Sequence, residues 1–199
     1  MPGDTRERIL ETAARLFHEQ GYAATGIATI LREAEVNSGS LYHFFRNKED
    51  LLVGVLEWYE AMLRPVVMDP VESTEPDPLE RIFALLNWYR DGLVESSCRL
   101  GCPIGNLALE VSDAYPEVRP HIDVNFSHWA EAIESWLVEA GDRLPAGVDR
   151  SALSRFVLTV MEGGIMQARA ADDLAPFDDS VRQLRAYVDL LSSQATPSL

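Results

Sequence analysis

The chain is expected to be all-α: an N-terminal three-helix helix-turn-helix unit followed by a larger helical body. Apolar residues recur at helical spacing along most of its 199 residues, no convincing pair of strands alternates, and Gly- and Pro-containing breaks separate the periodic stretches. About nine helices result, three short and six longer. The first covers residues 5–20, with Ile9, Ala13, Leu16 and Phe17 on one stripe and Gly21 closing it. A second fits 26–34, capped by Thr25, with Ile27, Ile30, Leu31 and Ala34 turned inward. Glu35 and Val36 form a turn, and Asn37 or Ser38 caps a third helix ending near Phe45. Asn47 caps a fourth, with Asp50 in the capping-box place, running through Leu51, Leu52, Val55, Trp58, Tyr59 and Met62 to Pro65.

Residues 65–79, rich in proline and acid, read as a loop or connector. The fifth helix spans 79–96, with Ile82, Phe83, Leu86, Tyr89 and Leu93 on one face, and SSCRLGCPIG breaks the pattern. Pro103 starts a short helix through Leu107 and Val111. Pro116 opens a long helix to about Ala140, carrying Val118, Ile122, Phe126, Trp129, Ile133 and Leu137. After the turn GDRLPAGVD come helices over 149–171 and 176–193, and the tail ATPSL is expected to fray.

Charge divides the chain unevenly. Residues 1–50 hold six basic and eight acidic residues, whereas residues 51–199 hold eleven and twenty-four, for a total net charge of −15. Only the first quarter can approach a polyanion without strong like-charge opposition. No apolar run has the ~18 residues that a membrane span needs, and the amphipathic N-terminus lacks a signal-peptide pattern, so the expected location is cytoplasmic. Cys98 and Cys102 are too few for a disulfide framework. No G-x-S-x-G, G-x-G-x-x-G, P-loop or H-E-x-x-H pattern occurs, so no enzyme class, catalytic residue or cofactor is indicated. The competing class is a helical enzyme or interaction protein that uses Cys102 and binds no DNA.

The stretch NSGSLYHFF, residues 37–45, suits a DNA-reading helix. Asn37, Ser38 and Ser40 are small and polar, Gly39 permits close backbone approach, and Tyr42 and His43 carry polar tips for a phosphate or a base edge. Leu41 and Phe44 seat it on the core. Lys48, the single lysine, and Thr25 stand at helix starts where a phosphate can be met, and Arg46 adds charge nearby. On composition alone the stretch suits a solvated structural helix equally well.

The run GYAATGIATILREAEVNSGSLYHFFRNKEDLL, within residues 8–56, resembles the DNA-binding domain of the TetR family of bacterial regulators. Two positions depart from that pattern: Glu35 stands where the turn normally has Gly, and Gly26 stands where Ser or Thr is common. The resemblance implies a DNA-binding domain over 1–47, an effector-binding and dimerisation domain over 48–199, and a homodimer on a double-stranded operator. It places the dimer contact on the last two long helices, at Leu153, Phe156, Val157, Val160, Gly163, Gly164, Leu184, Tyr187, Val188 and Leu191; an intramolecular core is the other reading of these residues.

GCPIGNLALEVSD, residues 101–113, resembles a TetR subgroup with a Gly-Cys…Gly-Asn-Leu…Glu signature, some of whose members respond to electrophiles. That implies a role for Cys102, with Arg99 near and Cys98 as a resolving thiol; a small inert thiol is the alternative. Cys98 and Cys102 with His121 and His128 match no zinc module, so no metal is expected. Trp58, Met62, Phe83, Tyr89, Phe126, Trp129 and Met161 are candidates to line a small-molecule cavity, with Asn106 as polar anchor. Effector release of a repressor is the expected mechanism.

Overall fold

A computed structural model describes residues 2–195, with side chains described from residue 5. Among the described residues there are ten α-helices, one π turn, two 3₁₀ turns and no strand. The helices are α1 (Pro2–Gln20), α2 (Ile27–Glu33), α3 (Ser38–Phe44), α4 (Lys48–Met62), α5 (Asp69–Thr74), α6 (Pro78–Glu95), α7 (Pro103–Val111), α8 (Arg119–Glu139), α9 (Arg150–Ala171) and α10 (Ala175–Ser193). Four residues of the tail expected to fray, 196–199, lie outside the described residues.

Packing divides the chain into two compact units. The first combines residues up to Ala61 with Pro103–Phe126, and the second combines Met62–Cys102 with the chain from Ser127 onward.

In the first unit the predicted stripe of α1 is the core: Ile9, Ala13, Leu16 and Phe17 are buried and meet α2 and α3. Arg8 Nε donates to the Ala34 carbonyl at 2.9 Å, tying α1 to the end of α2. Ile30 and Ala34 turn inward as expected, while Ile27 and Leu31 are only half-buried. Glu35 adopts φ 52, the left-handed conformation that the family's glycine would take without strain. Glu35→Gly is therefore expected to raise unfolding stability by about 1 kcal/mol in urea titration; an unchanged midpoint would mean the turn carries no strain. Leu51, Leu52, Val55 and Leu56 of α4 complete this core with Ile104, Leu107 and Val111 of α7 and Val118 and Ile122 beyond it. Asn125 is buried but satisfied, donating to the carbonyls of Leu56 at 3.1 Å and His121 at 2.8 Å.

The second unit corrects one expectation. Residues 63–74 are helical, as a π turn over Leu63–Met68 followed by α5, where a connector was expected. Pro70 is the second residue of α5, which continues from the π turn without a break. Arg64 engages both Asp69 at 3.1 Å and Glu72 at 2.9 Å, so acidic residues that suggest a solvated loop are paired along a helix. Glu72 also accepts from Trp136 Nε1 on α8 at 2.9 Å. This segment makes the tenth helix, and α4 ends at Met62 rather than Pro65. Pro116 opens a 3₁₀ turn before α8 proper.

α9 and α10 pack against one another as an antiparallel pair. Gly164 suits the close approach of the two helices: a Cβ would lie 3.0 Å from the Phe177 ring, which would have to give way. Leu153, Val157, Leu184 and Val188 are buried, so for these positions and Gly164 the intramolecular core is the correct reading. Phe156 and Tyr187 instead stand 45% and 44% exposed with ring centroids 6.0 Å apart, and Gly163 faces open space.

Candidate nucleic-acid interface

The third helix is short and held at both ends. Asn37 caps it, its Oδ1 accepting from the Ser40 amide at 2.8 Å. Leu41 is 0% exposed and Phe45 is buried beside it, so the helix is anchored by its inner face. Helical geometry then turns Ser38, Gly39, Tyr42 and His43 outward together, and all four are exposed, Tyr42 by 51%. Ser40 is half-buried and Phe44 is half-buried with its ring edge-on to His43, centroids 4.9 Å apart. The next helix is capped as expected, with Asn47 Oδ1 accepting from the Asp50 amide at 2.7 Å.

Thr25 departs from its expected role. It is 0% exposed, and its hydroxyl lies 2.7 Å from the Gly21 carbonyl and 3.2 Å from that of Leu16. Gly26 occupies the N-cap of α2, without a side-chain cap. Thr25 thus locks the α1–α2 turn and offers no atom to a phosphate in this conformation.

Lys48 is half-buried. Its ammonium donates to the Tyr22 carbonyl at 2.5 Å and lies 4.1 Å from the centre of the Tyr22 ring. Burial lowers its pKa, while the charge of Glu110 opposes that shift. The head's arginines are also engaged. Arg6 lies over the Phe45 ring, Arg8 holds Ala34, Arg15 pairs with Glu19, and Arg32 pairs with Glu33. Arg46 pairs with Asp50 at 2.7 Å, and this contact holds the Asp50 carboxyl below the usual carboxylate range. The surface around α3 is consequently polar and hydroxyl-rich rather than a dense basic patch.

The expected effector residues fall in both units. Trp58, Asn106 and Phe126 belong to the first and are each half-buried. Met62, Phe83, Tyr89, Cys102, Trp129 and Met161 belong to the second. Of these, Tyr89 and Trp129 meet edge-on with centroids 6.1 Å apart, and Cys102 and Met161 are buried. Phe83 is separated from that cluster in role: the Arg185 guanidinium lies 3.4 Å above its ring while chelating Glu80.

Pattern reading alone misses Glu162. This α9 carboxyl hydrogen-bonds with the Cys102 thiol, and its Oε1 is buried without a hydrogen-bond partner among the described residues. Burial raises the Glu162 pKa, and the Tyr89 phenol nearby is raised too, by burial and then by its Cys102 and Glu162 neighbours. A carboxyl with a raised folded-state pKa holds its proton more tightly folded than unfolded. Its effect is to make stability fall as pH climbs from the ordinary carboxyl range through the raised value. Glu162→Gln is expected to flatten that fall and raise the thermal midpoint at neutral pH; an unchanged pH profile would show the carboxyl to be solvated. Cys98 and Cys102 are both buried thiols. Among the described residues no group of three or more His, Cys, Asp or Glu could hold a metal ion.

A three-helix head that anchors a short capped helix through Leu41 and displays Ser38, Gly39, Tyr42 and His43 defines a helix-turn-helix DNA-binding protein. Residues 9–55 match the bacterial regulatory proteins of the tetR family, and residues 78–183 match the C-terminal domain of LmrA/YxaF-like transcriptional regulators. The chain is 31% identical to the HTH-type regulator YxaF of Bacillus subtilis, over 87% of this chain and 90% of that protein. It is 32% identical to the HTH-type transcriptional regulator LmrA of the same organism, over 87% and 91%. The crystal structure of the reduced form of Escherichia coli NemR superposes with a TM-score of 0.79 at 26% identity, covering 98% of this chain and 100% of that one. The chain belongs to the TetR family. It is a DNA-binding transcriptional regulator and not an enzyme. Among the described residues no helix is long and apolar enough to cross a membrane.

Proposed function

We propose that the protein is a homodimeric repressor in the cytoplasm, with a DNA-binding head over residues 1–47 and an effector-binding and dimerising body over 48–199. The observation that carries this reading is α3, with Leu41 buried beneath it and Tyr42 and His43 exposed beside Ser38 and Gly39. Each of two α3 helices enters one of two successive major grooves, about 34–36 Å apart. Asn37 and Ser40 shape the helix start, and Lys48 directs its remaining ammonium hydrogens to a phosphate. Repression is supported by NemR of Escherichia coli, named a transcriptional repressor, which is 32% identical over 60% of this chain.

The dimer face is the outer side of α9 and α10. Phe156, Tyr187, Met166 and Leu190 are exposed there, and open grooves flank Phe156. An apolar face of this kind on one chain suits isologous pairing into a four-helix contact.

The effector is a small molecule. Within the second unit, Met62 and Met161 supply apolar surface, Tyr89 and Trp129 aromatic walls, and Cys102 and Glu162 polar anchors. The sequence GCPIGNLALE supports a place in the signature-bearing subgroup. A thiol-reactive effector would have to reach a Cys102 that is 1% exposed and already hydrogen-bonded, so reversible binding is the favoured mode. The test is selection of bound duplexes from a random pool, repeated with candidate effectors. Enrichment of a two-fold symmetric sequence supports the reading, and the absence of any enriched sequence contradicts it.

A further inference from the structure

Glu110 ends the signature GCPIGNLALE, and DNA binding as described leaves it without a task. It sits at the C-terminal end of α7, and its side chain reaches the α1–α2 turn, 87 and 88 residues away in sequence. Its two carboxylate oxygens accept from the backbone amides of Tyr22 at 2.9 Å and Ala23 at 2.7 Å. The turn is shaped to admit them. Gly21 has φ 86, and a Cβ there would come within 3.2 Å of both carboxylate oxygens. Successive backbone amides beside a left-handed glycine form a concavity for an anion, here filled from within the chain.

Tyr22 is held from its other side as well. Lys48 donates to its carbonyl at 2.5 Å and covers its ring, so Glu110 and Lys48 grip one residue through its N–H and C=O. The ring meets Tyr115 edge-on at 5.4 Å, and the two phenols share a hydrogen bond. Lys48 also feels the Glu110 charge directly, which offsets the effect of its own burial. Lys48 opens α4, four residues after the end of α3, so its placement bears on the seat of the DNA-reading helix.

We infer that Glu110 is a positioning residue for operator binding: it fixes the α1–α2 turn from α7 and, through Tyr22, sets the ammonium of Lys48 for a phosphate. α7 starts at Pro103, directly after Cys102 in the chain. The inference rests on the DNA-binding assignment of that head and adds a residue outside it.

The experiment uses the full chain and a duplex recovered from the random pool, with affinity followed by fluorescence anisotropy across a salt series. Glu110→Gln, Lys48→Met and their combination are compared, with Glu110→Asp as a variant that keeps the charge. Glu110→Gln is expected to weaken binding about tenfold and to reduce the salt slope by as much as Lys48→Met does. The double variant should bind within about twofold of Lys48→Met alone, because both substitutions break one unit. Glu110→Asp should keep the wild-type slope. Wild-type affinity for Glu110→Gln, losses that multiply in the double variant, or a slope unchanged by Lys48→Met would each overturn the inference while leaving the head a DNA reader. Failure of the wild-type chain to bind any duplex would overturn both. A thermal midpoint and a sedimentation profile for each variant identify any loss caused by unfolding. If Glu110→Gln unfolds, a wild-type slope for Glu110→Asp supports the inference and a reduced one overturns it.

Discussion

Alanine at both Tyr42 and His43 is expected to lower affinity for the selected operator by on the order of 10²-fold or more, with the thermal midpoint and the dimer unchanged. The two side chains stand on the outer face of α3 and neither contributes to the core: Tyr42 is half in solvent, and Leu41 and Phe45 do the anchoring. Each lost base or phosphate contact is worth roughly 1–3 kcal/mol, and a dimer loses each contact twice. The head's arginines and Lys48 already have partners within the chain. The polar tips of α3 therefore carry more of the binding than they would on a densely basic surface. Titration by anisotropy checks this, and retained affinity would remove α3's outer face from the interface.

Glutamate at both Phe156 and Tyr187 is expected to give a folded monomer that binds the same duplex on the order of 10²–10⁴-fold more weakly. The rings pack against one another on an exposed face, so charging them costs the single chain little. Across a two-fold axis the same change places four carboxylates in an apolar contact, with a large desolvation cost. Loss of the dimer makes the second head's binding bimolecular again, which accounts for the size of the effect. Sedimentation velocity gives the assembly and circular dichroism the fold. A dimer that survives the substitution would place the interface elsewhere.

The head was legible because its information is local. Asn37 and Asn47 announce their helices through caps three residues long, and both caps are present. Glu35 announced a left-handed turn by standing in a glycine's place. Thr25 misled because its hydroxyl fits a cap as well as it fits the carbonyls of Leu16 and Gly21, and only tertiary burial decides between them. The π turn and α5 were hidden by Pro65 and Pro70, residues that end most helices but here lie within a continuous helical stretch. On α9 and α10, periodicity marked apolar positions without saying which side faced the chain itself. Burial divides them into Leu153, Val157, Leu184 and Val188 inside, and Phe156 and Tyr187 outside. Glu110 and Glu162 escape pattern reading altogether. Their partners, Tyr22 and Cys102, are distant in sequence, and no spacing rule links a carboxylate to an amide across the fold.

Hydroxyl-radical footprinting of the selected duplex tests the central claim most directly. A homodimer with one α3 in each of two successive major grooves predicts two protected segments related by two-fold symmetry, their centres about 10 base pairs apart or a multiple of a helical turn. A single protected segment, or a uniformly protected or unprotected duplex at saturating protein, would contradict it.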